Sequence, residues 1–177
     1  MKMRKPFKGF TIVELMVAVA IIGILSGLMI EAGISDWRRE RVNTVAVELA
    51  GWLEAVRRAS LKGTSCSVQL ELGGGSQSDL AGGATLATST CRGVSSLPIT
   101  TITPGQVFRV KASASSWSFS PLGTLHLPDG ASGPVSIFIA LKDGQAPIRC
   151  VQLEGLMGVI SVGRASDFST CNTEGRF

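Results

Sequence analysis

Glu14 is the only ionisable residue in the stretch from Phe10 to Ile30, which reads FTIVELMVAVAIIGILSGLMI. A carboxylate carried into lipid costs on the order of a few kcal/mol unless it meets a partner, so it marks a site. The chemistry open to it is ion pairing, and an ammonium is its natural complement. Four cysteines, Cys66, Cys91, Cys150 and Cys171, offer a second chemistry. An even number supports disulfides in an oxidising compartment, with three connectivities to choose from. Sequence proximity favours Cys66–Cys91 with Cys150–Cys171. Zinc fits poorly, because no C-x-x-C occurs and His126 is the one histidine. No metal ligand and no cofactor is expected.

Catalysis finds no constellation either. No serine sits in a G-x-S-x-G turn. Gly73-Gly74-Gly75 is followed by no Lys-Ser/Thr and opens no helix, so it is not a phosphate loop. Trp52 and Trp117 read as core residues rather than stacking platforms, and Trp37 suits an interfacial belt. The expected role is not enzymatic.

The element that must position Glu14 is a helix. At ~1.5 Å per residue the run from Phe10 to Ile30 reaches about 30 Å, the thickness of a bilayer's hydrocarbon core. Lys2, Arg4, Lys5 and Lys8 precede it. Positive charge flanking an apolar span stays on the cytoplasmic side, which sends the rest of the chain outward. A secretory signal has a similar plan, but it tolerates a mid-core acid poorly. Ile30-Glu31-Ala32 also makes a poor cleavage site, since Ile30 is not small. The formal charge of +4 belongs to the leader: without its four basic residues, 13 of the 17 remain against 13 acids. A broad electrostatic footprint for nucleic acid is absent.

The helix is expected to continue beyond the span. Val42, Val45, Leu49, Trp52, Leu53, Val56 and Ala59 recur at i, i+3, i+4, i+7, and Gly63 supplies a stop after Lys62. Strands are expected at 65–72, where Cys66, Val68, Leu70 and Leu72 share one face, and at 85–90, 99–102, 107–112, 117–120 and 124–127. Val135 to Leu141 and Ile148 to Leu153 form a hairpin around Lys142-Asp143-Gly144-Gln145, with a last strand from Gly158 to Val162. Pro128-Asp129-Gly130 reads as a turn, and the glycines from Gly73 to Gly83 as a flexible loop. For Ser76–Ser96 the sequence leaves surface loop and disorder both open. The fold class is α+β: a long N-terminal helix, half membrane span and half amphipathic, packed on an antiparallel β-sheet head.

The start, Lys8-Gly9-Phe10-Thr11-Ile12-Val13-Glu14, resembles type IV prepilins and type II secretion pseudopilins. The resemblance implies that a prepilin peptidase cuts after Gly9 and methylates the new terminus, Phe10. Glu14 would then pair with the Phe10 ammonium of a neighbouring subunit. The segments Val45–Leu49, Ala55–Ala59 and Lys62-Gly63 are similar to the helix of GspH/FimT-type pseudopilins and minor pilins. Phe119–Gly123 and Ile160–Arg164 also match features of that group. The helix departs from major pilins in lacking a proline near the end of the span, where Glu31 and Ala32 stand, so it would be straighter or loosen at Gly27 and Gly33. The resemblance implies a leader (1–9), a membrane or filament-core helix (10–31), its amphipathic continuation (32–63) and a pilin-like β-rich head (64–177).

It further implies a minor pilin of a type IV pilus. The chain would be a single-pass inner-membrane protein with a periplasmic head, reaching the cell surface after assembly. Its partners would be other pilin or pseudopilin subunits, the peptidase and the inner-membrane assembly platform. An H-type pseudopilin of a type II secretion system is the runner-up. A head that receives DNA or another protein, and a tethered domain that never polymerises, are the other readings. DNA-binding members carry Gly-Arg-x-Arg near the C-terminus. Here Gly163-Arg164-Ala165-Ser166 keeps Arg164 and lacks the second arginine.

Overall fold

The structure is a computed structural model that describes residues 9, 11–100, 105–128 and 133–174, without the side chains of 28–32, 34 and 35. Two compact units divide the chain, Met1–Trp37 and Arg38–Phe177. One helix, α1, runs from Ile12 to Ser60. Its start is capped by Thr11, whose Oγ1 accepts the backbone N–H of Glu14 at 3.3 Å. Gly27 and Gly33 lie within it. The helix ends at Ser60, earlier than the expected 63. Lys62 and Gly63 close a tighter turn onto the carbonyls of Ala59 and Ser60. Gly63, at φ 99°, takes the left-handed position that glycine favours there.

In the second unit the helical stripe meets the core. Val42, Val45, Leu49, Leu53 and Val56 are buried, and Trp52 lies with them. They pack on two antiparallel five-stranded sheets, where one sheet was expected. The first sheet comprises β1 (Cys66–Leu70), β3 (Thr85–Ser89), β4 (Ser96–Pro98), β6 (Ser116–Phe119) and β7 (Leu125–His126), in the order β4-β3-β1-β6-β7. The second comprises β2 (Gln77–Ala81), β5 (Val107–Ala112), β8 (Val135–Leu141), β9 (Ile148–Glu154) and β10 (Val159–Ala165), in the order β10-β9-β8-β5-β2.

Strict alternation in β1 buries Cys66, Val68 and Leu70 and exposes Ser67 and Gln69. Strand β8 is buried almost throughout because both of its faces are covered. Its inner face carries Val135, Ile137 and Ile139 in the main core, while Phe138 and Ala140 belong to a second cluster with Ile148 and Cys150. The C-terminal tail covers that cluster. Its Phe168 meets Phe138 edge-on at 6.4 Å, and Arg164 and Asn172 form an isolated bridge.

Two sequence expectations need correction. The glycine-rich stretch from Gly73 to Gly83 is not merely a loop, because β2 lies in it and pairs along β5 from Gln77↔Lys111 to Ala81↔Val107. The strand expected at 99–102 forms earlier, at 96–98, where it pairs with β3. Ile99 follows it as a buried residue, its N–H bonded to the Ala84 carbonyl. Thr101 and Ile102, and Asp129 and Gly130 of the expected turn, lie outside the described residues.

Candidate functional site

Glu14 occupies the first turn of α1, three residues after its cap, where the helix dipole favours a negative charge. Thr11-Ile12-Val13-Glu14 thus reads as a Thr-x-x-Glu helix start. Sequence reasoning passed over Thr11, although that spacing was visible. The cap uses the backbone of Glu14, so it leaves the carboxylate uncommitted by this bond. Around Glu14 the helix is apolar and bare: exposure runs from 80 % at Ile12 to 52 % at Leu25, with Val13, Leu15, Met16, Val17, Val19, Ile21, Ile22 and Ile24 between. Among the described residues no helix is long and apolar enough to cross a membrane. The stretch from Ile12 to Gly27, in which every side chain is described, would itself span only about 24 Å at 1.5 Å per residue.

Gly9 is exposed, has no positive φ, and would meet nothing within 4 Å if given a Cβ. Packing among the described residues therefore does not require glycine there. Phe10, and the leader residues Met1–Lys8, lie outside the described residues.

The head is fastened by covalent and ionic links. Cys66 joins Cys91 and Cys150 joins Cys171, with Cα separations of 5.2 and 5.8 Å. On the outer face of the second sheet, Arg109 donates from Nε and Nη2 to both carboxylate oxygens of Asp79, at 2.9 and 3.1 Å. That pairing holds the Asp79 carboxyl below its usual range and raises the Arg109 guanidinium. Arg38 of α1 pairs with Asp143 of the β8–β9 turn, and this bond holds Asp143 below its usual range as well. Among the described residues no three His, Cys, Asp or Glu side chains converge as a metal site would require.

Arginines meet at the other side of the second sheet. Arg149 on β9 lies directly opposite Arg164 on β10. Arg149 is only 3 % exposed and donates from Nε to Asn43 Oδ1 on α1. Burial lowers its pKa first, and the positive charges of Arg164 and Arg39 lower it further. Arg164 itself is exposed. Arg176 lies outside the described residues. Sequence reasoning placed Arg149 in a strand but had no signal for its burial, which depends on how α1 covers β9. His126 is exposed on β7, its Nε2 3.0 Å from Thr124 Oγ1.

Residues 4–30 match the prokaryotic N-terminal methylation motif. Among solved structures, the chain is similar to the crystal structure of the type IV minor pilin FimU from Pseudomonas aeruginosa PAO1, at 15 % identity and a TM-score of 0.48, over 73 % of this chain and 96 % of that one. No curated protein matches the sequence. The chain thus carries a prokaryotic N-terminal methylation motif at its start and has an N-terminal helix packed on antiparallel sheets.

Proposed function

We propose that the chain is a minor pilin, cut after Gly9, methylated on Phe10 and assembled into a type IV pilus or related filament. One observation carries this reading: among the described residues, an exposed helix start, apolar on all sides, with one carboxylate at Glu14. Such a surface needs lipid or other helices to cover it. Before assembly the helix anchors the chain in the inner membrane, with the head in the periplasm. On assembly Glu14 meets the Phe10 ammonium of the adjacent subunit, an attraction that strengthens as water leaves. Gly9 supports the same reading, because a glycine that packing does not require suits a peptidase that must approach the backbone closely.

Mass spectrometry of filaments sheared from native cells tests it. Head peptides together with a mature terminus at methylated Phe10 are expected. The processed form confined to the envelope would favour the H-type pseudopilin instead, and an intact Met1–Gly9 would overturn both.

A second reading, a head that binds DNA, draws on the convergence of Arg39, Arg149 and Arg164. Arg39 and Arg164 are exposed, so two guanidiniums offer more phosphate contact than Arg164 alone, while the buried Arg149 adds positive charge beside them. Arg164→Ala in the full chain should weaken duplex binding and flatten its salt dependence. Salt-independent or absent binding removes this reading.

A further inference from the structure

The first sheet turns one face to α1 and leaves the other open. On β1 and β6 the inward residues Val68, Trp117 and Phe119 are buried in the core, so their neighbours point outward. Strand register sets those neighbours in two rows. Thr88, Gln69 and Ser116 form one, and Ser67, Ser118 and His126 form the other. Together they line a concavity of about 340 Å³, within the ~300–1,000 Å³ of small-molecule sites. Among the described residues, no Asp, Glu, Lys or Arg contributes to its lining.

Some of these groups are already engaged. The Ser67 hydroxyl lies 3.2 Å from that of Thr90, and Thr88 donates to Glu71. The side chains of Gln69, Ser116 and Ser118 make no hydrogen bond among the described residues. Three adjacent neutral groups, able both to donate and to accept, are therefore open to a ligand.

We propose that this concavity binds a neutral, polyhydroxylated ligand, a glycan chain. An ionic ligand would leave its charge without a counter-charge in the lining. An apolar ligand would strand the Gln69, Ser116 and Ser118 groups it covered. A peptide strand would need a free sheet edge, but β1 and β6 each have paired strands on both sides, and at the β7 edge the Leu125 N–H is already bonded to the Leu156 carbonyl. Sugar hydroxyls match what remains, since each can donate to Gln69 Oε1 and accept from a serine. Leu127, also in the lining, supplies an apolar surface for the C–H face of a ring.

The test uses the full chain in a polyoxyethylene detergent, so that no sugar headgroup competes. The probes are immobilised neutral oligosaccharides of glucose, galactose and N-acetylglucosamine, with heparin and duplex DNA as anionic comparisons. At least one neutral oligosaccharide should be retained, with an affinity that added salt does not change. Gln69→Val and Ser118→Val, substitutions that suit a strand, should each weaken it about tenfold, roughly the loss of a hydrogen bond together with the stranded partner. Unchanged far-UV circular dichroism of both variants shows that the sheet is intact. Retention of no neutral probe, equal retention by both variants, or binding confined to heparin and DNA would each overturn the proposal.

Discussion

Arg164 and Asn172 exchange both of their backbone hydrogen bonds, each 2.9 Å long, and so fold the chain beyond β10 back over Gly163. A Cβ on Gly163 would collide with the Asn172 carbonyl, whose carbon would lie 2.8 Å away, and would press on Cys150 Sγ at 3.2 Å. The glycine of the Gly163-Arg164 pair thus has a packing duty in this fold, whatever Arg164 binds.

Gly163→Ala should therefore destabilise the head by about 1–3 kcal/mol, since the obstacle is backbone and cannot swing aside. Thermal unfolding of the purified chain measures this. An unchanged midpoint would mean that the tail lifts off β10 without cost.

The Cys150–Cys171 bond spans 21 residues, for which the loop-entropy estimate is about 3 kcal/mol. Cys150→Ala combined with Cys171→Ser should lower stability by that order. It should also speed amide exchange in β8 and β9 as the tail releases Phe138 and Ile148. Exchange that rises equally in the first sheet would instead signal global destabilisation.

Acid should loosen the ionic links. Asp79 and Asp143 titrate lower in the folded head than the ~3.9 of an unfolded aspartate. Their contribution is complete above about pH 4 and disappears as pH falls through the folded values. Both pairs are partly exposed, so each should account for less than about 1 kcal/mol. Asp79→Asn with Asp143→Asn should flatten the fall in melting temperature below about pH 4. An equally steep fall in the double variant would assign acid sensitivity to other carboxylates.

Thr11 and Glu14 can be separated by mutation. Glu14→Ala keeps the backbone N–H that Thr11 receives, so helix start and membrane insertion should persist while incorporation into filaments is lost. Thr11→Ala should cost about 1 kcal/mol of helix stability at the first turn and leave filaments assembled. Fractionation with filament counting distinguishes them. Normal filaments from Glu14→Ala would remove the assembly role.

The helix and much of the head were legible because their signals are local. The spacing Val42–Val56 fixed a buried stripe, and alternation fixed β1. Strand β2 escaped because Gln77–Ala81 has little apolar character and is flanked by glycines. It exists through long-range pairing with β5, which the Asp79–Arg109 bond reinforces. The division into two sheets was hidden for the same reason: strand order is decided by partners far apart in sequence. The burial of Arg149 and the course of the tail depend on such neighbours as well. At the candidate assembly site the roles of Gly9, Phe10 and Glu14 rest on the resemblance of the N-terminus, and Phe10 lies outside the described residues, while the Thr11 cap was overlooked.

The Cys66–Cys91 bond has a mechanical consequence. Tension that passes the packed part of α1 and leaves it at Ser60 reaches Cys66 before any other cysteine. While the bond holds, force passes directly to Cys91, and the stretch between them, a sequence separation of 25, cannot be drawn out. Extended, that stretch would add about 85 Å of slack. A head loaded from its helix therefore bears the pull with that length withheld.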